Sequence, residues 1–592
     1  MPVQVSVALP GPWWTPLTYN APLTANGLAI PGVRVRVPMG RGTRVGLIVG
    51  VGSPDGPGGY DGAIREISEA IDSAPALSEG TMRLLRWFCE ANLCGFGTAM
   101  KALLPAGFLS GEEIGPADVQ LAERPCGKSA ASFVYDPIDG ARRDRYAAIL
   151  SDGAPSLVAF PIYPDAEKFY GFLKNSPILP DYAKDRLMLF PRIGGKAEWR
   201  AWTKLRSPDC GQSIVVGGQN SAMAPIRGLS RIFVEDESNN AWRTMRPPIH
   251  NVRSLLASRA RIEGAELILG GRMPSPRAFM RLGAESAAHA PSQSGKKVVF
   301  VDMKLAYSPS VEGVSGSLAV SEPLVRETEA AISRGSWAIW ILDRKGYAGE
   351  IVCEECGAGV KCPRCGCTMR VEAGRISCIS CGYRDTMPEE CPNCNGRLLA
   401  ARRPGLEALM PLADAAIDSS APILSTDDPE EKIRRAVGAA RPGLMIGTRS
   451  ALSFCDEAKT GMIGWIDADG EARSEEHGAR VRAFSLIWES LWRGISPSDR
   501  RVVVQTRRPG RDWQRGLDLS EGWRVFWRNE LQERSELSMP PFTALVKIEG
   551  RRGDIAGIAE KLADSGCECW SPDEEAGKKS ALWVRTKKLS EL

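Results

Sequence analysis

Four Cys-x-x-Cys pairs crowd the stretch between residues 353 and 394: Cys353/Cys356, Cys362/Cys365, Cys378/Cys381 and Cys391/Cys394. Such a turn aims two thiolates at one point, and two turns complete a tetrahedral zinc site. Four pairs therefore make two sites, with Gly or Pro beside several of them as knuckle turns require. Spacing leaves open which pairs share an ion. Four thiolates leave no position for water, so both zinc ions are expected to be structural and not catalytic. Disulfides or a redox Cys-x-x-Cys would not call for four clustered pairs in a reducing compartment. Cys367 reads as an extra thiol outside the ligand set.

A second candidate chemistry is phosphate binding. Residues 1–54 contain Arg34, Arg36, Arg41 and Arg44 and no acidic residue, which predicts a cationic face. The net charge of +4 is too small to imply nucleic acid by itself. The three histidines, His250, His289 and His477, are scattered and carry no assignment. Trp13, Trp14, Trp523 and Trp527 could stack on bases, although core packing is their commoner use.

At 592 residues, 43% hydrophobic and 25% charged, the chain reads as a soluble protein of about three to five domains. It shows neither a leader pattern nor an apolar run of bilayer length, so no membrane partner and a cytoplasmic location are expected. Short β-like runs at Val3–Leu9, Val33–Val37 and Val45–Val51 precede one amphipathic helical stretch from Ser78 to about Leu104. Apolar strands alternate with helices from 131, namely Ser132–Tyr135, Leu157–Phe160, Ile214–Val216, Ile232–Val234 and Leu267–Leu269. The alternation resumes at Val298–Val301 with Trp337–Leu342, Pro422–Leu424, Leu444–Ile446, Met462–Ile466 and Val502–Val504. That is the pattern of parallel α/β sheets. The two blocks echo one another. Ile214-Val-Val-Gly-Gly-Gln-Asn-Ser-Ala precedes a strand ending in Glu235-Asp-Glu, and Leu444-Met-Ile-Gly-Thr-Arg-Ser-Ala precedes one ending in Asp467-Ala-Asp.

The chain resembles the PriA (primosomal protein N-prime) family of bacterial replication-restart helicases. The likeness rests on Asp343-Arg-Lys-Gly-Tyr347, Val7-Ala-Leu-Pro, Pro31-Gly-Val-Arg-Val-Arg-Val-Pro-Met-Gly40, Ile446-Gly-Thr-Arg, Ile466-Asp-Ala-Asp and Ser538-Met-Pro-Pro-Phe. It runs from residue 1 to about 550, with little room between 105 and 130 for the family's winged-helix domain. It implies a multidomain α/β fold. The segments are an N-terminal 3′-end DNA-binding domain (1–105), a linker (106–130), a first RecA-like helicase lobe (131–285), a second lobe in two parts (296–352 and 396–510), an inserted two-zinc module (353–395) and a small C-terminal α/β domain (511–592). It also implies nested zinc pairing, Cys353, Cys356, Cys391 and Cys394 around one ion and the middle four around the other. The matching 3′-end pocket positions are Leu17, Thr18, Gly40 and Arg65, Thr18 standing where the family has an acid. Arg34, Arg36, Arg41 and Arg44 would hold phosphates there.

The ATPase motifs of the resembled family are degraded. After the first strand of the first block, Asp136-Pro-Ile-Asp-Gly-Ala-Arg-Arg143 replaces the phosphate loop. Two aspartates face the place for phosphate, Pro137 removes an N–H donor, and Arg142 and Arg143 stand for the Lys and Thr. Gly127-Lys-Ser129 precedes the strand and is read as a chance match. The acidic motif becomes Glu235-Asp-Glu-Ser238, here read as a solvated strand end as readily as a metal site. The coupling motif becomes Gly270-Gly-Arg-Met-Pro274. The finger arginine survives as Arg493, with Ser496 for the second arginine, and the second lobe's DNA-coupling motif reads Arg449-Ser-Ala-Leu-Ser-Phe-Cys-Asp456. No catalytic residue and no ATP or magnesium are expected.

The expected function is fork-DNA binding and primosome assembly in replication restart. The partners implied are forked or branched DNA, single-stranded-DNA-binding protein and helicase-loading proteins. The rival readings are a divergent active ATP-dependent helicase, which needs a phosphate loop, and an interaction scaffold without DNA binding, which Thr18 favours.

Overall fold

The computed structural model describes residues 3–22, 29–52, 64–114, 131–207, 210–211, 213–282, 298–305, 319–343, 348–353, 355–364, 366–367, 369–372, 375–378, 382–417, 420–439, 441–472, 478–517, 522–570 and 579–587. The chain divides into two compact units, 1–136 with 140–288, and 137–139 with 289–592.

The first unit opens with strands β1 (Val3–Ala8), β2 (Leu17–Ala21), β3 (Arg34–Met39), β4 (Gly42–Val51) and β5 (Glu69–Ala70), paired in the order β2-β1-β4-β3-β5. Period-two alternation turns Val5, Val7, Val35 and Val37 inward onto Tyr19 and Ile48. Met39 pairs with Gly42, so Gly40 and Arg41 form a two-residue hairpin turn, and Gly40 supplies the positive φ of 60° that such turns need.

Helices α1 (Glu79–Ala91), α2 (Phe96–Leu103) and α3 (Ala106–Ser110) follow. The single helix expected over 78–104 is two. Ser78 starts it as expected, its hydroxyl accepting from the Thr81 N–H at 3.1 Å. The break comes at Leu93, whose φ is +48°, and at Gly95, where any Cβ would collide with the Trp13 carbonyl. Tertiary contact with the 9–15 loop therefore overrides an unbroken apolar face. The stretch read as a linker from 106 begins instead with α3, whose Phe108 is fully buried and meets Trp202 edge-on at 5.8 Å. Residues 115–130 lie outside the described residues.

A parallel α/β layer completes this unit: β6 (Ala131–Tyr135), α4 (Asp139–Leu150), β7 (Ser156–Ala159), α5 (Tyr163–Asn175), α6 (Asp181–Lys184), β8 (Leu187–Leu189), α7 (Gly195–Arg206), β9 (Ile214–Gly217), β10 (Arg231–Val234), α8 (Val252–Glu263), β11 (Glu266–Gly271) and α9 (Pro276–Leu282). Its sheet order is β6-β11-β10-β7-β9-β8. One continuous core joins Leu85 and Phe88 of α1 to Leu255 and Leu256 of α8.

The second unit contains β12 (Val298–Asp302), α10 (Glu322–Ser333) and β13 (Trp337–Ile341). An antiparallel module follows, of β14 (Ala348–Cys353), β15 (Met369–Glu372), β16 (Arg375–Cys378), β17 (Arg384–Thr386) and β18 (Leu399–Pro404). The α/β layer resumes with α11 (Leu406–Ala416), β19 (Ile423–Ser425), α12 (Glu430–Gly438), β20 (Leu444–Gly447), β21 (Thr460–Trp465), α13 (Ala468–Ala472), α14 (Ala479–Trp492) and β22 (Arg501–Thr506). Its order, β12-β22-β21-β13-β20-β19, repeats strand for strand that of the first sheet. The echo read in the sequence is thus a repeated topology. In both layers a 3-10 turn (Gln219–Met223 and Arg449–Asp456) bridges the fourth and fifth strands. The cysteine module enters between the second and third strands of the second copy. The multidomain α/β fold expected from the sequence is what the chain adopts.

Helix α15 (Trp523–Glu536), read as part of a C-terminal domain, stacks Phe526 on Phe484 of α14 at 4.3 Å. Trp523 and Trp527 are core residues, 3% and 0% exposed. Beyond it, β23 (Ala544–Arg551), α16 (Arg552–Asp564), β24 (Glu568–Trp570) and β25 (Lys579–Thr586) form a sheet in the order β23-β25-β24 with α16 on one face.

Candidate functional site

The thiols of Cys353, Cys356, Cys391 and Cys394 lie within 4.8 Å of one another. Cys353 and Cys394 stand 3.6 Å apart, and Cys356 and Cys391 3.7 Å. Four zinc–sulfur bonds of about 2.3 Å in a tetrahedron put neighbouring sulfurs about 3.8 Å apart. A disulfide would need about 2.05 Å. The donor set therefore fits one tetrahedral metal ion. The backbone explains the gathering. At each first cysteine the carbonyl accepts from the residue four on (Gly357 at 2.9 Å, Asn395 at 2.9 Å), and its N–H donates to the carbonyl five on (Ala358, Gly396). Gly357 and Asn395 hold the positive φ that this turn needs. The Ala358 N–H and the Asn393 amide draw the Cys356 thiol down to about 6, while hydrogen bonds to the neighbouring thiols push Cys394 up to about 12.

Cys362 and Cys378 repeat this turn. Gly366 and Gly382 donate to their carbonyls at 2.9 and 3.0 Å, and their own N–H groups reach the carbonyls of Cys367 and Tyr383. Cys365 and Cys381 lie outside the described residues.

In the first unit the acidic motif is not a solvated strand end. Glu235 and Glu237 are 8% and 2% exposed. Arg142 donates to Glu235 Oε1 from Nε at 2.8 Å and from Nη2 at 2.6 Å, and Tyr146, one turn further along α4, donates to Oε2 at 2.8 Å. Burial, then the Glu235 charge, keeps the Tyr146 phenol far above its ordinary pKa, so it remains a donor. A Cβ at Gly270 would collide with the Tyr146 hydroxyl. Glu237 receives Tyr135 at 2.8 Å and the Ser275 N–H at 2.6 Å on Oε1, and Arg253 at 2.6 Å on Oε2. All four carboxylate oxygens carry protein donors. Asp136, read as facing a phosphate, is buried and paired with Arg145 at 3.1 Å. In the second unit Arg493 is held by Asp456 at 2.8 Å and Glu489 at 2.7 Å.

The N-terminal sheet divides the expected arginines. Arg34 is not a phosphate contact. It is fully buried, paired with Asp72 at 2.7 Å, and donates to the carbonyls of Phe108 and Glu112 at 3.1 and 2.9 Å. Arg36 is partly exposed and pairs with Glu69 at 3.2 Å, an acid that β5 brings to a face that looked acid-free in sequence. Arg41 and Arg44 are exposed on the β3–β4 hairpin, and the Arg44 guanidinium lies 5.7 Å over the Trp13 ring. The segments that carry the four expected pocket positions are linked through Tyr19 and Asn20. The Tyr19 hydroxyl donates to the Pro38 carbonyl at 3.3 Å, two residues before Gly40, and the Asn20 N–H to the Arg65 carbonyl at 2.9 Å.

Residues 6–105 match the PriA 3′DNA-binding domain (3′BD). The replication restart protein PriA of Treponema pallidum is 22% identical over 577 residues, covering 90% of this chain and 84% of that protein. PriA of Bacillus subtilis is 22% identical over 381 residues, 61% of this chain but only 46% of its own length. The chain is thus similar to PriA proteins along most of its length, and its N-terminal segment matches their 3′DNA-binding domain. A solved DEAD box protein from Methanococcus jannaschii aligns with 78% of the chain and 96% of its own at 9% identity, but its TM-score of 0.32 is too low to bear on the fold.

For this PriA relative, sequence reasoning located the four-cysteine cluster. It missed Tyr146, Arg253 and Ser275, which hold the acidic motif, and Asn393, whose amide reaches Cys356 Sγ at 3.6 Å. Tyr146 stands four residues after Arg142 on one helix, a spacing that offered a signal. The others come from distant chain. His250 packs edge-on to Phe88 at 4.8 Å, and burial lowers its pKa. His289 and His477 lie outside the described residues. Among the described residues, no helix is long and apolar enough to cross a membrane.

Proposed function

We propose that this PriA relative binds forked DNA in replication restart without hydrolysing ATP, and serves as a scaffold for primosome assembly. The carrying observation is the acidic motif. In a phosphate-transferring lobe these carboxylates must be free to organise magnesium and water. Here Arg142 and Tyr146 engage both oxygens of Glu235, while three further donors engage Glu237. The charge that a metal would supply is supplied internally. Arg493, engaged by two carboxylates, supports the same reading.

DNA contact is assigned to Gly40, Arg41, Arg44 and Arg65, with Arg36 weakened by Glu69 and Arg34 withdrawn. Two zinc ions are proposed, one on Cys353, Cys356, Cys391 and Cys394, the other on Cys362, Cys365, Cys378 and Cys381. Zinc would supply no reaction chemistry there, only a cross-link that fixes the strands as a docking surface. Single-stranded-DNA-binding protein and helicase-loading proteins are the partners implied by the family.

The test is titration of purified protein against a fork with a nascent 3′ end, with and without ATP and magnesium, while phosphate release is followed. The expected result is salt-dependent binding that ATP leaves unchanged, with no phosphate above the protein-free blank. DNA-stimulated release would overturn the ATP part, and salt-independent or absent binding the DNA part. Arg41→Ala and Arg44→Ala should each lower the slope of log affinity against log salt by about 0.7–0.9.

A further inference from the structure

Between β1 and β2 the chain runs through Leu9-Pro-Gly-Pro-Trp-Trp-Thr15 and leaves Trp14 66% exposed. An indole that open would normally sit on a pliable loop. This loop is clamped. The Gly11 N–H donates to the Gly97 carbonyl at 3.4 Å, and the Thr98 hydroxyl to the Gly11 carbonyl at 3.1 Å. Three glycines permit the fit. A Cβ at Gly97 would collide with the Leu9 carbonyl, one at Gly95 with the Trp13 carbonyl, and one at Gly11 with the Trp13 ring. Trp13 is partly buried on the core side and carries the Arg44 guanidinium, while Trp14 faces outward. The loop leads directly into Leu17 and Thr18, the first two pocket positions.

We infer that Trp14 is a fixed stacking platform for the terminal base or base pair at a DNA 3′ end, taking over through ring contact what Thr18 cannot provide by charge. This inference rests on the fork-binding reading of the same face. An exposed aromatic on a backbone that is already fixed spares the loop-ordering entropy when a base settles on it, and every base offers a π-face. Arg44, stacked on the neighbouring indole, and Arg41 on the adjoining hairpin provide the cationic rim that a phosphodiester backbone requires. Glu69, the acid described on this sheet, is engaged by Arg36. The occupant that fits is therefore a nucleic-acid end and not an acidic peptide, which would gain the charge but waste the flat ring.

The experiment compares wild type, Trp14→Ala and Trp14→Phe on two forks, one with a nascent 3′ end at the junction and one without that strand. The 3′-terminal base of the first fork is 2-aminopurine. Expected are quenching of 2-aminopurine by wild type, about a tenfold weaker Kd for Trp14→Ala on the 3′-ended fork, and near-wild-type behaviour of Trp14→Phe. On the fork without the nascent strand all three should bind alike, with equal salt slopes. Equal affinity of wild type and Trp14→Ala on the 3′-ended fork, or unchanged 2-aminopurine quenching, would overturn the platform while leaving fork binding in place. Failure of wild type on both forks would overturn the fork reading itself. Thermal melting controls for folding, and an exposed side chain predicts unchanged melting for both variants.

Discussion

Cys353→Ser should lower the zinc content of the purified chain from two ions to one and unfold the β14–β18 end of the antiparallel module, leaving the β15–β17 end with its own ion. Cys353 is fully buried at the end of β14, where it pairs with Leu399 of β18. The core of the module is small, with Ile351, Val360, Met369 and Ile376 its principal aliphatic members. Such a core cannot repay the entropy of ordering five strands unaided. Structural zinc contributes about 10–16 kcal/mol in small modules, so losing one ligand removes most of what orders that end. The repeated parallel layer keeps a core of its own, including Leu324, Trp340, Leu409 and Val503, and should stay folded. Metal analysis with hydrogen exchange of β14–β18 reads both effects. Cys367→Ser is the control, with zinc unchanged. Two ions retained by Cys353→Ser would end the assignment, whereas zinc lost from Cys367→Ser would redraw the ligand set.

Arg142→Ala has the second largest expected effect. It leaves the buried Glu235 carboxylate with Tyr146 as its remaining side-chain donor among the described residues. Removing one partner of a buried ion pair costs about 3–5 kcal/mol, because the other charge stays buried and underpaid in hydrogen bonds. Hydrogen exchange in α4 and β10 should accelerate by roughly two powers of ten or more, at about 1.4 kcal/mol per tenfold. The double variant Arg142→Met with Glu235→Leu should recover most of the loss, since an apolar pair of similar volume replaces the ion pair without a stranded charge. Neither variant is expected to bind ATP with magnesium, because Pro137 has no N–H to offer a phosphate. ATP hydrolysis by Arg142→Ala would mean that the arginine blocks a working site and does not replace one.

Arg34 illustrates why the surface chemistry was only half legible. Its neighbours in sequence are apolar or basic, so nothing local separates it from Arg36. The difference lies with Asp72 and the carbonyls of Phe108 and Glu112, 38 to 78 residues away. The same holds for the acidic motif. Carboxylates at a strand end read as solvated until α4 places Arg142 and Tyr146 against Glu235, and α8 places Arg253 against Glu237.

The sequence by itself determined what depends on local spacing. Cys-x-x-Cys turns with a Gly or Asn behind them, strands alternating with helices and a repeated strand–turn–strand order are all written within a few neighbouring positions. Backbone turns and side-chain periodicity act over that range. Tertiary structure alone decided which charges are spent internally and which face solvent, where the 78–104 helix breaks, and that the loop carrying Trp14 is held against α2. Each of those outcomes depends on a partner from distant chain, and burial strengthens a charge pair or a steric contact only after the fold has brought the two together.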